Sequence, residues 1–527
     1  MYHQQHQFSR NIAAAAWHNT PVGRFLCSAA VGSRGNIEKE DKNITARTSD
    51  GRQSNLRRST RLGGNQSDYS IRTPSKKDPH LLFKHDTLRM LENTFNGGNI
   101  RNDHITRNST NTTQRPPRSF TKYKSNYISE NAENREIYKR IIKCKTIDVT
   151  VKVAHEHLDN NLSPRTTAAV WKHISSLLLS SNPQMIDGQL KRKIEEILSH
   201  TSSQISVHNP SVLASTSHAL ASIVKTALSS TQKHSNKDNA NQLFDDLFAN
   251  VEIWDKIQQR YLRIQDSFGA RQVATLAWSL ATVMGAITTR DRGNYSSFDV
   301  SPFFRAAHRA FQSRKDEFTS KHISNLAWSC MTCKHSMPEL FNDLADEFIS
   351  RRRRLDDEDV DDYEESLDAV TLCQLAHSFA NAKHHDVRFF EAIAREALPI
   401  LPDFKGRHLA NLIHPFAYAK IVPKFGSVHA LFDEVANVTI LQVKSLSPQN
   451  MANIVWAYAT TEQAHQELFN AIAQEATPRL QEFSPKQLAN LTRAFSKYPP
   501  KSSIAEIIFD RIATEVVDRG LGPGPES

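Results

Sequence analysis

The chain has 527 residues, 39% hydrophobic, with 66 Lys+Arg against 56 Asp+Glu and a formal charge of +10. That length admits several compact domains or one extended array. Five irregularly spaced cysteines (Cys27, Cys144, Cys330, Cys333 and Cys373) form no disulfide framework, and no apolar run approaches the roughly 20 residues that span a bilayer. The expectation is a soluble protein of a reducing compartment, without membrane insertion.

The charge is uneven: residues 1–140 hold 24 Lys+Arg against 12 Asp+Glu, which leaves the remainder at −2. Residues 1–37 contain no Asp or Glu and carry Arg10, Arg24 and Arg34 between short Ala-rich and apolar patches. This is the composition of an organellar presequence, for a mitochondrion ahead of a chloroplast. Residues 38–135 are basic and rich in Asn, Ser and Arg, too poor in aliphatic clusters to offset their ordering entropy, and are expected to be disordered.

From Glu136 onward the pattern is helical. Ser163-Pro164, Asn209-Pro210, Ser447-Pro448 and Ser484-Pro485 each pair an N-cap side chain with a first-turn proline, which satisfies one orphan N–H and removes another. Thr319 and Asp368 fill the same slot, Gly269 and Lys405 less well. The starts step by 46, 60, 50, 49, 37, 42 and 37 residues, so the minimum unit fits two helices and two turns. The second helix of each unit has its own frame, as in Leu340-Phe341-Asn342-Asp343-Leu344-Ala345, Phe389 to Ala394, Leu468 to Ala473 and Ile508 to Ala513. Apolar residues there form one broad buried stripe. The predicted fold is an all-α solenoid of stacked helical hairpins: divergent repeats over 136–260, a regular array over 261–518, and a disordered tail over 519–527. Arg351 to Asp368, four arginines followed by an acidic run, reads as a solvated loop between units.

One phrase recurs at the start of the units: Gln272 to Trp278, Ile323 to Trp328, Leu409 to His414, Met451 to Trp456 and Leu488 to Arg493. In a common frame the fourth slot holds Ser215, Thr275, Asn325, Gln374, Asn411, Asn453 and Asn490. The seventh holds His218, Trp278, Trp328, His377, His414, Trp456 and Arg493, every one a flat π system. The eleventh holds Thr282, Thr332, Asn381, Tyr418, Thr460 and Lys497. One residue before the first slot stand Arg271, Lys321, Arg407 and Lys486. Slots four, seven and eleven share one helix face. Flat groups stack on unpaired bases, amides reach base edges, and a cation at a helix N-terminus meets phosphate. Sameness from unit to unit equally suits a packing role, with Trp as an inter-unit spacer and Asn bonded to neighbouring backbone. The changing eleventh slot is therefore the better reading position.

The phrases Ser484-Pro485-Lys486-Gln487-Leu488-Ala489-Asn490-Leu491 and Ser447-Pro448-Gln449-Asn450-Met451-Ala452-Asn453-Ile454-Val455-Trp456 resemble the octotricopeptide repeat. They are also similar to the helical repeats of FAST-kinase-like organellar proteins, well over 265–517 and loosely over 160–265. The resemblance implies an organellar RNA-binding protein acting in RNA stability, processing or translation, or in ribosomal RNA maturation, beside other RNA-processing proteins. His377, His414 and Arg493 depart from the Trp of that repeat, and no RAP-type nuclease-like module follows the last hairpin. No catalytic motif is visible: Cys330-x-x-Cys333 lacks a second pair for zinc, and Cys330 takes a slot held by Leu280, Phe379 and Phe416 elsewhere. The expectation is non-catalytic binding with no cofactor. An armadillo- or HEAT-like protein scaffold is the alternative, favoured by the near-neutral array.

Overall fold

The computed structural model describes residues 132–158, 162–180, 187–231, 251–290, 298–355, 367–422 and 426–520. The expected presequence, nearly all of the disordered segment and residues 521–527 of the tail lie outside these. Among the described residues there are eighteen α-helices and no strand. They fall into two compact units, residues 132–400 and residues 401–422 with 429–520.

Two short helices open the first unit, α1 (Ala132–Ile141) and α2 (Ile147–His155). Hairpins follow: α3 (Pro164–Ser180) with α4 (Gly188–Gln204), α5 (Pro210–Thr231) with α6 (Val251–Arg263), and α7 (Ala270–Arg290) with α8 (Ser301–Ser313). Next come α9 (Ser320–Thr332) with α10 (Pro338–Leu355) and α11 (Ala369–Asn381) with α12 (Val387–Ala397). The second unit holds α13 (Gly406–Tyr418) with α14 (Gly426–Gln442), α15 (Pro448–Thr460) with α16 (Gln466–Ala476), and α17 (Pro485–Lys497) with α18 (Ser502–Asp518). Within each unit the first helices pack side by side in chain order. The second helices α6 and α8, α10 and α12, and α16 and α18 do likewise. Each unit is thus a two-layered solenoid, its repeats contacting their neighbours in sequence.

All eight first helices begin where their caps place them. Ser163, Asn209, Thr319, Asp368, Ser447 and Ser484 each accept an N–H from the first turn. Where Lys405 offers no cap oxygen, His408 Nδ1 accepts the Lys405 N–H instead (3.4 Å). Four first helices end on a non-glycine residue in the left-handed region: Lys334, Lys383, Lys420 and Glu462, with φ of 53°, 60°, 57° and 63°. Their ends close with paired backbone bonds, as in Lys383 N–H to Ala380 O and His384 N–H to Phe379 O, the geometry that normally selects glycine. Lys383→Gly should therefore raise stability by about 0.5–1 kcal/mol in thermal unfolding.

One recurrent device was not anticipated. In seven of the eight first helices the residue before the N-cap is buried, and its carbonyl accepts from a side chain at the far end of the same hairpin. Arg314 donates to Phe268 O (2.7 Å), Arg479 to Leu446 O (3.1 Å), Arg519 to Phe483 O (2.6 Å) and Gln442 to Phe404 O (2.9 Å). Arg260 does so to His208 O (2.9 Å) and Gln204 to Leu162 O (2.5 Å). In the α9–α10 hairpin the donor is Arg351, which bonds Phe318 O and Lys315 O and pairs with Glu347 (2.7 Å). This corrects the reading of the arginine run as solvated. Arg351 and Arg352 lie within α10, and Arg352 is 4% exposed, bonded to Glu396 (3.3 Å) and Ser320 Oγ (3.0 Å). The physical reason is that a planar guanidinium with five donors suits the cluster of orphan carbonyls at a hairpin's mouth.

His208 occupies the position that Phe268, Phe318, Phe404 and Phe483 hold elsewhere. It is fully buried, and its ring nitrogens meet no protein hydrogen-bond partner. Burial, helped by the charge of Arg260, pushes its pKa down to about 4. The unfolded imidazole takes up a proton near pH 6.5, so between those values the unfolded state binds more protons. Stability is full above pH 6.5 and falls as pH drops towards 4, by roughly 3 kcal/mol from this ring alone. His208→Phe should flatten that dependence in denaturant titrations run from pH 7 to pH 4. Half-buried His218, also down to about 4 through desolvation and then Lys225 and Lys172, should leave a residual slope.

Candidate nucleic-acid interface

The first helices are buried on most of their circumference. In α11, residues 371–376 and 378–380 are all buried, leaving His377 and Asn381 half-exposed. In α13 the residues that reach solvent along the helix body are Arg407, Asn411, His414 and Tyr418, one every third or fourth position. The slot before the first and slots four, seven and eleven thus form a single line along each helix, and in α13 that line holds the residues that reach solvent along the helix body.

The line is filled differently in the two units. In residues 132–400, Trp278 and Trp328 are each 2% exposed, and Thr282, Asn325 and Gln374 are buried with them. His218 of α5 stacks on Trp278 of α7 with ring centroids 4.9 Å apart, and Lys225 Nζ lies 5.8 Å from the same ring. Gln374 of α11 donates its amide to Asn325 of α9 (3.1 Å). These groups join successive repeats, which places the packing role of slots four and seven here. Arg271 is exposed; Thr332, His377 and Asn381 are half-buried; half-buried Lys321 sits 3.9 Å from Asp368. The Asn381 amide bonds the His377 backbone oxygen (2.8 Å).

In residues 401–520 the line is open. His414 and Trp456 stack across α13 and α15 at 4.7 Å and 27°, and His414 lies nearly parallel to Tyr418 at 6.5 Å and 13°. Arg407, His414 and Trp456 are half-buried, while Tyr418, Thr460, Lys486, Arg493 and Lys497 are exposed; Asn453 is buried. Lys497 is engaged with Ala459 O (3.0 Å) and Glu462 (3.3 Å).

Charge is segregated by layer. The eight first helices contain no Asp or Glu, yet they carry ten Lys and Arg. Seven of the eight second helices carry at least two acidic residues each, as in Asp343, Asp346 and Glu347 of α10. A summed charge near zero conceals this, because alternate helices cancel. The signal was present in the sequence and becomes visible once helices are sorted by layer. Three of the left-handed C-terminal residues, Lys334, Lys383 and Lys420, are exposed lysines at the ends of their first helices.

Other chemistry is sparse. Cys330 is buried, its thiol directed to His335 O (3.3 Å), and burial pushes that thiol up to about 12. Burial likewise raises Cys373. Both act as small core residues. Among the described residues no cluster of three or more His, Cys, Asp or Glu side chains could hold a metal, and no helix is long and apolar enough to cross a membrane.

These features define an all-α repeat protein with one acid-free helical layer. Against known families, residues 353–517 match the RNA-editing substrate-binding complex 6 protein family, a stretch that begins in the last turn of α10 and runs into α18. No curated protein matches the sequence. Among structures, the chain is similar to one in a homology model of the full-length AP-3 complex in an intermediate open conformation. That likeness has 12% identity and a TM-score of 0.23, covering 72% of this chain and 68% of that one. At that score it bears on neither fold nor function.

Proposed function

We propose that this chain binds RNA, single-stranded or ribosomal, along the solvent edge of its first helices, positioning it without covalent chemistry of its own. The observation that carries this reading is the acid-free first-helix layer, whose exposed line combines Lys and Arg with flat rings and amides. Cations meet phosphates and set register, while rings and amides meet bases. The match to RNA-editing substrate-binding complex 6 proteins supports an RNA partner and, beside it, other proteins of an RNA-processing assembly. Within this proposal the unit is an octotricopeptide-like hairpin. The protein works in an organelle, a mitochondrion ahead of a chloroplast, on RNA stability, processing, translation or ribosomal RNA maturation.

The test is crosslinking and RNA sequencing on the tagged protein in its own cells. Enriched organellar transcripts, lost when Arg271, Lys321, Arg407 and Lys486 become Glu, are expected. The −2 charge outside residues 1–140 favours a second reading, a protein–protein scaffold. Background RNA together with a stable set of co-purifying proteins would establish that reading instead.

A further inference from the structure

The hairpin α17–α18 leaves open a face that the hairpin before it buries, and we infer that a second copy of this chain docks there. In the α15–α16 hairpin that face joins the next repeat. Ala452 and Ala459 of α15 and Ala473 of α16 are buried. Gln466 of α16 donates to Pro499 O (3.1 Å), and the Asn470 side-chain oxygen accepts the Lys501 N–H (2.8 Å). The same slots of α17 and α18 face solvent. On α17 they lie in the line Lys486, Ala489, Arg493 and Ser496, all exposed. On α18 they form the line Glu506, Asp510, Ala513 and Val517, with Ala513 half-buried and Val517 61% exposed. Steps of three and four residues keep each line on one face of its helix. Glu506 and Asp510 occupy the slots through which Gln466 and Asn470 reach the following repeat.

Charge selects the occupant. Helix α17 carries Lys486, Arg493 and Lys497 and no acid, whereas α18 carries Glu506, Asp510, Glu515 and Asp518 against Arg511 alone. Among the described residues Lys486, Arg493, Glu506 and Asp510 are exposed and have no ion-pair partner. The face is therefore basic on one helix, acidic on the other, and complementary to itself. A two-fold axis running between the helices and parallel to them lays α17 of each copy along α18 of the other. The helices of a hairpin run antiparallel, so Arg493, late in α17, comes beside Glu506, early in the second copy's α18. Lys486, in the first turn of α17, comes towards Asp510. The alternative two-fold, across the helices, sets α17 on α17 and like charges together. Helices of 13 and 17 residues are about 20 and 25 Å long, so the paired face covers roughly 450 Å² per copy. That is the low end for a specific interface and corresponds to a weak dimer.

Sedimentation velocity of the full chain, free of nucleic acid, tests this over about 1 to 100 µM. The expected result is a monomer–dimer equilibrium with a Kd of about 1–50 µM. Arg493→Glu alone and Glu506→Arg alone should each weaken the dimer at least about 10-fold, and the two together in one chain should restore it. The rescue follows from the two-fold axis, which sets each residue against the other one in the second copy. Both side chains are exposed, so the variants keep the fold, as unchanged far-ultraviolet circular dichroism would verify. A monomer at every concentration would overturn the proposal, and so would a dimer indifferent to both single reversals. A double variant no tighter than the singles would exclude this pairing of α17 with α18. Open-ended larger species in place of a dimer would exclude the two-fold axis. A monomer that holds a different helical-repeat protein through Arg493 and Glu506 would assign the face to that partner instead. None of these outcomes depends on RNA binding.

Discussion

Arg351→Ala is expected to destabilise residues 132–400 by about 2–4 kcal/mol, since it removes an ion-pair partner from a nearly buried carboxylate and the donors from two carbonyls at once. Glu347, at 10% side-chain exposure, would lose its arginine partner at 2.7 Å. Phe318 O and Lys315 O would lose the donors that close the α9–α10 hairpin. Lysine at the same position supplies a charge but no fork, and should recover only part of the loss. Arg353, exposed in the same helix, provides the control: its alanine variant should stay within about 0.5 kcal/mol of the parent. Urea titration followed by far-ultraviolet circular dichroism reads all three. Equal, small effects for Arg351 and Arg353 would mean that the arginine run is solvated after all and the hairpin lock contributes nothing.

The second large effect concerns binding. Replacing Arg271, Arg407, Lys486 and Arg493 together by Glu should weaken oligonucleotide binding by about 100-fold at physiological salt and flatten the salt dependence. Each phosphate contact on a single strand contributes about −0.7 to the slope of log K against log salt, so four lost contacts should reduce it by roughly 3. All four reach solvent, and none is needed by the buried hairpin mouths, so the fold should survive. Charge reversal of Arg305 and Arg309, exposed on second helix α8, should leave the slope near its parental value. Equal loss from both sets would point to diffuse attraction and remove any special standing of the first-helix line.

Much of this molecule can be read from its residues. Ser447-Pro448 and Ser484-Pro485 fix two helix starts because the cap oxygen and the missing proline N–H leave the backbone little choice. Spacing alone places slots four, seven and eleven on a common face, which is largely open in residues 401–520 and largely buried in residues 132–400. What spacing could not supply is depth. Trp278 and Trp456 fill the same slot in similar phrases and each stacks on a histidine of the preceding repeat, His218 and His414, yet one is buried and the other half-buried. The burial of Arg351 is hidden from the sequence for a related reason. A run of four arginines looks solvated until the carbonyl of Phe318, 33 residues away, is brought to it. The charge segregation between layers does not show in the net charge, which averages over helices that the fold separates.

The most direct measurement is ultraviolet crosslinking of the purified chain to a single-stranded RNA, followed by mass spectrometry of the crosslinked peptides. Crosslinks concentrated on first-helix residues such as Tyr418, Trp456 and Arg493, and absent from the acidic second helices, are the predicted result. Crosslinks confined to the second helices, or none at concentrations that saturate binding, would contradict an RNA-binding first-helix layer.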